Sequence, residues 1–353
     1  MPRPAILACL LHASVALPCA AETLLLVPDT GADRIWAFDA HDGSIVSNNY
    51  IPADGRMKQV MQVVQLPGGT IVMSDPGTSQ SCDAGDGLRE YTPCGQFIRN
   101  IATTAEGICN PEGICVAFGK VWVVRLYEPT QEVDPGRSAL WTFEFDGTGL
   151  QEACAPAVLN KPWAVLPFGS ELLVSDSTDD NIERLTPACA AGTPFIDSDG
   201  VSSINFPQQM ALLPDGSVAV ASFSAPSGLH FFTAQGSFQF QHAGVIAPRG
   251  VHPLGNGEVL YTGGTRVMAF DPKTLVEREI INQAGASFRW ISPIERCPED
   301  LDCTGSINGA DLGILLGEWG SPGTADLNGS GLVDGADLGL LLSAWGGCSA
   351  NPG

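Results

Sequence analysis

The chain has 353 residues, and its 39 acidic side chains against 17 Lys and Arg give a formal net charge of −22. So acidic a chain excludes a nucleic-acid partner, because phosphate contacts need clustered positive charge. The length leaves room for one large domain and one small one.

In chain order, Met1-Pro-Arg3 is followed by an apolar run from Ala5 to Leu17 and then Cys19-Ala-Ala21. This reads as a secretory signal peptide over residues 1–21, cleaved near Ala21. The run is too short for a membrane span, and Pro18 argues against lipid attachment at Cys19. No later apolar run is long enough to cross a bilayer. The expectation is a secreted, extracellular protein, not anchored by its own chain. Of 11 cysteines, Cys9 and Cys19 leave with the signal. The rest point to disulfides in an exported chain. The expected pairs are Cys82–Cys94, Cys109–Cys115, Cys154–Cys189 and Cys297–Cys348, with Cys303 left as an odd thiol. Zinc is the rival reading, but no C-x-x-C or paired His spacing supports it.

From Glu22 to Arg296 the composition is all-β, with short apolar runs, frequent Gly and Pro, and no sustained helical stripe. One unit recurs: an apolar strand, a tight turn, a second apolar strand ending near Ser-Asp, then an aromatic-rich third strand. The strand pairs are Met61–Asp75, Glu112–Val124, Pro162–Asp176, Gln208–Ser222 and Arg249–Gly263. Third strands follow from Gly87, Ala139, Asn181, Gly228 and Thr265. Glu22–Gly43 holds a second and third strand without a first, and Phe288–Ile294 a first without a second; joined, they make a sixth unit. Spacings of about 40–50 residues suit four-stranded blades. The expected fold is an all-β, six-bladed β-propeller over residues 22–296.

Within these repeats stand Pro111-Glu-Gly-Ile114, Pro248-Arg-Gly-Val251, Val174-Ser-Asp176 and Val27-Pro-Asp29. They resemble the blade motifs of the NHL and lactonase-like propellers, which implies that first strands line a central channel. The residue after the Pro then faces the channel mouth: Glu112, Trp163, Gln208 and Arg249, joined by Arg289 and by Met61 or Gln62. This mixed set suits a polar or carbohydrate ligand. Lactonases of this fold hold a catalytic Ca²⁺ with Glu, Asn and Asp side chains, whereas this ring offers one carboxylate and two arginines. Asn110, Asn160 and Asn205 precede first strands and could add oxygens, or simply cap turns. Asp29, Asp75 and Asp176 are expected to bind turn amides. The five His residues (12, 41, 230, 242 and 252) include no i,i+4 pair and read as surface or packed side chains.

The last segment, 297–353, carries one pattern twice with a period of 26 residues. Oxygen-bearing side chains fall at loop positions 1, 3, 5, 9 and 12: Asp300, Asp302, Thr304, Asn308 and Asp311, then Asp326, Asn328, Ser330, Asp334 and Asp337. Ser306 and Leu332 at position 7 can offer backbone carbonyls, and Gly305 and Gly331 allow the sharp turn. Such spacing gathers oxygens around a hard cation, so two Ca²⁺ sites are expected. Leu312, Leu315, Leu316 and Trp319, and Leu338, Leu341, Leu342 and Trp345, fall at helical spacing. Each loop should therefore feed one amphipathic helix, with Gly320 and Gly346 as C-terminal caps and the two stripes buried against each other.

These residues resemble a type I dockerin, a small calcium module that docks onto cohesin domains; the resemblance covers Cys297 to Cys348. It implies the two calcium sites just named and a cohesin-like or cell-surface partner. Position 5 is a hydroxyl in both copies, which removes charge, and Gly-Ala stands at positions 10 and 11, where dockerins carry partner-choosing side chains. The sequence thus reads as a secreted calcium-binding protein whose propeller binds a ligand or protein and is tethered through a dockerin-like module. The alternative is a secreted lactonase or carbohydrate-active hydrolase acting in polysaccharide breakdown.

Overall fold

The computed structural model describes residues 22–78, 82–126, 138–197, 204–245 and 247–347. The signal-peptide reading and Cys348 lie outside the described residues. The chain divides into two units, Thr23–Arg296 and a smaller one built from Cys297 onward.

The larger unit forms six antiparallel sheets among the described residues, five of four strands and one of three. The inner strands of blades 2 to 6 are Gln62–Gln65, Pro111–Ala117, Pro162–Phe168, Pro207–Leu212 and Pro248–Pro253. Blade 1 is closed by both ends of the unit: Ser292–Arg296 pairs with Glu22–Asp29, which continues to Arg34–Asp39 and Ile45–Ile51. At that seam the Thr23 hydroxyl donates to the Glu295 carboxylate at 2.8 Å. The Gln65 amide of blade 2 accepts from the Glu295 N–H and donates to its carbonyl. The closing inner strand begins at Ser292, beyond Phe288, which contributes an isolated bridge to Asp29 instead.

Second strands are buried on both faces, which explains why they read as unbroken apolar runs rather than alternating ones. Alternate residues serve different neighbours. Ile71 and Met73 pack toward blade 1 with Leu24, Leu26 and Ile35, while Val72 packs toward blade 3 with Val121 and Val123. Leu172 and Val174 join Trp122 and Leu140 of blade 3, and Leu173 joins Val218 and Val220 of blade 5. The core is therefore a ring of inter-blade layers, each buried aliphatic side chain contributing about 1.5–3 kcal/mol.

Asp residues at second-strand ends tie the rim. Asp176 accepts four backbone N–H groups, from Asn160, Lys161, Thr178 and Asp179. Asp75 accepts from Lys58, Gln59 and Gly77 and pairs with Arg89 at 2.9 Å. Asp29 accepts from Gly31 and Ser287.

Two of the expected disulfides are corrected. Cys82 bonds Cys109, not Cys94, and Cys115 is a free buried thiol. Cys109 stands in the loop entering blade 3, beside the loop of blade 2 that holds Cys82. Cys115 lies inside the following strand and turns into the layer with Leu140 and Val174. Sequence proximity misled because consecutive blades bring their rim loops together. Cys154–Cys189 forms as expected. Cys94, Cys297 and Cys303 are also disulfide-bonded, so Cys303 is not an odd thiol.

The smaller unit holds two nine-residue helices, α1 (Gly309–Gly317) and α2 (Gly335–Ser343), and a two-residue strand pair, Ser306–Ile307 with Gly346–Gly347. Each helix is opened by a capping box, Asn308 with Asp311 and Asp334 with Asp337. The C-caps are Glu318 and Ala344; Gly320 and Gly346, at positive φ, lie just beyond them. The expected burial of both stripes is only half met. Leu315 and Leu341 are buried with Ile307, Ala325 and Val333. Leu316, Trp319, Leu342 and Trp345 stand 47–52% exposed. Nine-residue helices bury one central leucine each, and a stripe that is four residues wide overhangs that contact.

Candidate functional site: the channel mouth and the paired acidic loops

Four inner strands share an irregularity. Pairing with the second strand shifts register between Pro111 and Ile114, Pro162 and Val165, Pro207 and Met210, and Pro248 and Val251. A bulge takes residues off the ladder and re-aims their side chains. The residue after each Pro, namely Glu112, Trp163, Gln208 or Arg249, lies in that bulge. The next residue explains the Pro-x-Gly motif. A Cβ on Gly113 would come 2.7 Å from the Trp163 carbonyl oxygen, and one on Gly250 2.8 Å from that of Arg289. Only glycine lets adjoining inner strands approach so closely. In blade 5 Gln209 stands there instead, its amide oxygen accepting from Val251 and Ile291 and its nitrogen donating to the Ile291 carbonyl. Gln62 of blade 2 likewise accepts from the Ile114 N–H.

A cavity of about 270 Å³ opens at this place, lined by Met61, Glu112, Trp163, Arg249 and Arg289 together with Gln59, Pro76, Phe206 and Phe223. Four of the five candidate ligand-binding residues thus converge. Gln208 does not line the cavity: it is wholly buried, and among the described residues neither polar atom of its amide has a hydrogen-bond partner. Phe206, Phe223 and Gln59 went unnoticed in the sequence because they lie outside the repeated strands, and Pro76 because it ends one, just past the Ser-Asp of the repeat. Phe206 has one faint signal, since it precedes a strand-opening Pro as Asn110 does. Both hold positive φ, 52° and 43°, an outlier for a bulky aromatic. Its N–H is fixed by the Asp180 carboxylate at 2.7 Å.

The aromatic wall is continuous. Trp163 meets Phe206 at 4.9 Å between ring centroids, Phe206 meets Phe223 at 5.4 Å, and the Arg249 guanidinium lies 4.5 Å over the Phe223 ring. The Trp163 indole N–H donates to Ser177. Arg289 is held from the closing segment, its Nε donating to the Thr30 hydroxyl at 3.2 Å. Among the described residues no carboxylate lies within 4.0 Å of either guanidinium. Burial, and then repulsion from Arg289, push the Arg249 pKa down to about 10, with Glu112 opposing. Burial also lowers that of Arg289. Glu112 is the only carboxylate lining the cavity among the described residues. The Asn160 and Asn205 side chains are engaged at turns, with Asp179 and the Ala225 carbonyl. His230 is buried in blade 5, and His242 stacks on Phe270 at 3.9 Å; among the described residues no histidine lines the cavity.

The two acidic loops of the smaller unit are built alike. Asp300 accepts from Thr304 N–H at 3.0 Å and Gly305 N–H at 2.8 Å; Asp326 accepts from Ser330 at 3.0 Å and Gly331 at 2.6 Å. Asp311 accepts from Leu301, Asp302 and Asn308, and Asp337 from Asn328 and Asp334. Asp302 and Asn328 bind the N–H at position 5 of their loops. Thr304 and Ser330 direct their hydroxyls at Asp302 and at the Leu332 carbonyl, and Asn308 donates to the Ser306 carbonyl. Gly305 and Gly331 take φ of +83° and +99°. Carboxylate oxygens of Asp300, Asp302 and Asp311 come within 4.8 Å of one another. Burial, with Asp311 nearby, raises the Asp300 pKa. A donor set of carboxylates, hydroxyls and carbonyls fits a hard divalent cation. The other close group, Cys82, Asp86 and Cys109, is no such set because its sulfurs are joined.

No family model matches the chain, and no curated protein matches it. Solved structures do share its propeller. A chain of a nidogen/laminin complex aligns with TM-score 0.61 at 14% identity, over 77% of this chain and 98% of that one. A gluconolactonase from Xanthomonas campestris aligns with TM-score 0.52 at 14% identity, over 70% and 85%. A streptogramin B lyase aligns with TM-score 0.50 at 16% identity, over 77% and 91%. At these identities the likeness establishes the fold, and function rests on the site.

Proposed function

We propose that this is a secreted calcium-binding protein whose propeller binds a ligand at the channel mouth and whose C-terminal module docks onto a partner. The observation that carries the calcium reading is the repeated amide cage around each position-1 and position-12 Asp, with three carboxylates of the first loop drawn together. Asp300, Asp302, Thr304, Asn308 and Asp311 would hold one Ca²⁺, with the Ser306 carbonyl. Asp326, Asn328, Ser330, Asp334 and Asp337 would hold the other, with the Leu332 carbonyl. The ion's role here is to neutralise the loops and fix the helices that they open. Leu316, Trp319, Leu342 and Trp345 then form the apolar face offered to a cohesin-like or cell-surface protein. The disulfides support export.

The propeller is read as a binding platform rather than a lactonase or other hydrolase. A catalytic divalent ion in the channel needs several anionic oxygens, and Glu112 is accompanied there by two guanidinium groups. The test is calorimetric calcium titration of the full chain beside Asp311→Ala and Asp337→Ala variants. Two sites are expected, with one lost in each variant. A full chain that takes up no calcium overturns the reading, and calcium uptake that survives both substitutions together moves the ion, and the hydrolase reading, to the propeller.

A further inference from the structure

Resting on the reading of the channel mouth as a ligand site, its charge and shape go on to define the ligand. Two guanidinium groups line one small cavity, and neither has a carboxylate within 4.0 Å among the described residues. Desolvating a cation without a partner is costly, and proteins ordinarily pair it. Arg289 is steadied by Thr30, and Arg249 by the face of Phe223, so both heads are held in place, with Glu112 the carboxylate of the described lining that opposes their charge. That is the arrangement of an anion receptor, in which planar forks match a planar oxyanion.

Glu112 sets the charge of the guest. Among the described residues that line the cavity, one carboxylate stands against two guanidinium groups, a balance that suits a monoanion and disfavours a doubly charged phosphate. The walls set its body: Trp163, Phe206 and Phe223 present ring faces and edges, on which sugar rings and arenes alike pack. About 270 Å³ holds one ring and its substituents rather than a chain of them. We infer that the propeller binds a small monocarboxylate, its carboxylate taken by Arg249 and Arg289 and its ring laid against the Trp163–Phe206–Phe223 wall. A sugar acid and an aryl acid share this chemistry.

The experiment is calorimetric titration of the full chain at fixed salt with two matched pairs, glucuronate against glucose and benzoate against benzyl alcohol. The charged member of at least one pair should bind at least tenfold more tightly than its neutral twin, and the better pair identifies the ring. Arg249→Met and Arg289→Met should each weaken that acid by roughly 10- to 100-fold, the worth of a charge-assisted hydrogen bond. Arg249→Lys should recover part of the loss, and all variants should keep the wild-type melting temperature within a few degrees. Equal binding of acid and neutral twin, or arginine variants that bind the acid as wild type does, overturns the anion assignment and leaves the ligand site standing. No heat from any of the four probes overturns both.

Discussion

The guanidinium carbon of Arg249 lies 4.5 Å from the centroid of the Phe223 ring, a cation resting on an aromatic face in the wall of the channel. Phe223 in turn meets Phe206 edge-on. Replacing Phe223 with Ala removes both contacts and should cost about 1–2 kcal/mol of stability. Urea denaturation would measure it, and Phe223→Tyr should lose almost none.

Asp176 should matter more than its position at a strand end suggests. It gathers four backbone N–H groups from two segments of blade 4. Asp176→Ala leaves them unmet and should cost about 3 kcal/mol. The expected signature is a lowered urea midpoint with an unchanged slope.

Stability should carry an imprint of Asp86. Burial pushes its carboxyl up to about 7, while the Asn110 N–H opposes. The folded state then holds a proton that the unfolded chain releases near the ordinary value of 3.8. Stability from this group therefore falls as pH rises between those values. His230, buried and lowered to about 4, acts the other way, since the unfolded chain takes up a proton below the ordinary 6.5. The opposed slopes mask each other in wild type. Asp86→Asn keeps an acceptor for Asn110 and removes the penalty, so it should exceed wild type by roughly 2 kcal/mol at pH 8 and equal it near pH 4. Denaturant midpoints across that range give the answer.

Cys115 should be chemically silent. Its thiol is buried between blades 3 and 4, and burial pushes its pKa far above the ordinary value. An aromatic disulfide reagent should leave it unmodified in the native protein and titrate it only after denaturation.

The propeller was legible because each blade repeats one turn and one pair of apolar runs, and Glu112, Trp163 and Arg249 were legible because each follows a strand-opening proline, while Arg289 came from the closing unit. What could not be read was fixed by neighbours in space. Phe206 and Phe223 belong to loops without a repeat and become a wall only when Trp163 is brought beside them. Gln208 occupies the same bulge position as Glu112 and Arg249, yet it is wholly buried. Cys82 finds Cys109 because two rim loops adjoin, a fact of the ring rather than of spacing. In the small unit, periodicity gave the helices their apolar stripe, but not how little of it two short helices would cover.

The seam between Glu22–Asp29 and Ser292–Arg296 joins residues as far apart as Thr23 and Glu295. Such a ring can close only after nearly the whole propeller has been synthesised, and closure carries the loop entropy of the entire domain. Until then the apolar first strand, with Leu24, Leu25 and Leu26 in sequence, is an open edge able to pair with another chain. Chains cut short before Ser292 should therefore aggregate rather than form five stable blades, so that the last strand made acts as a checkpoint on the integrity of everything before it.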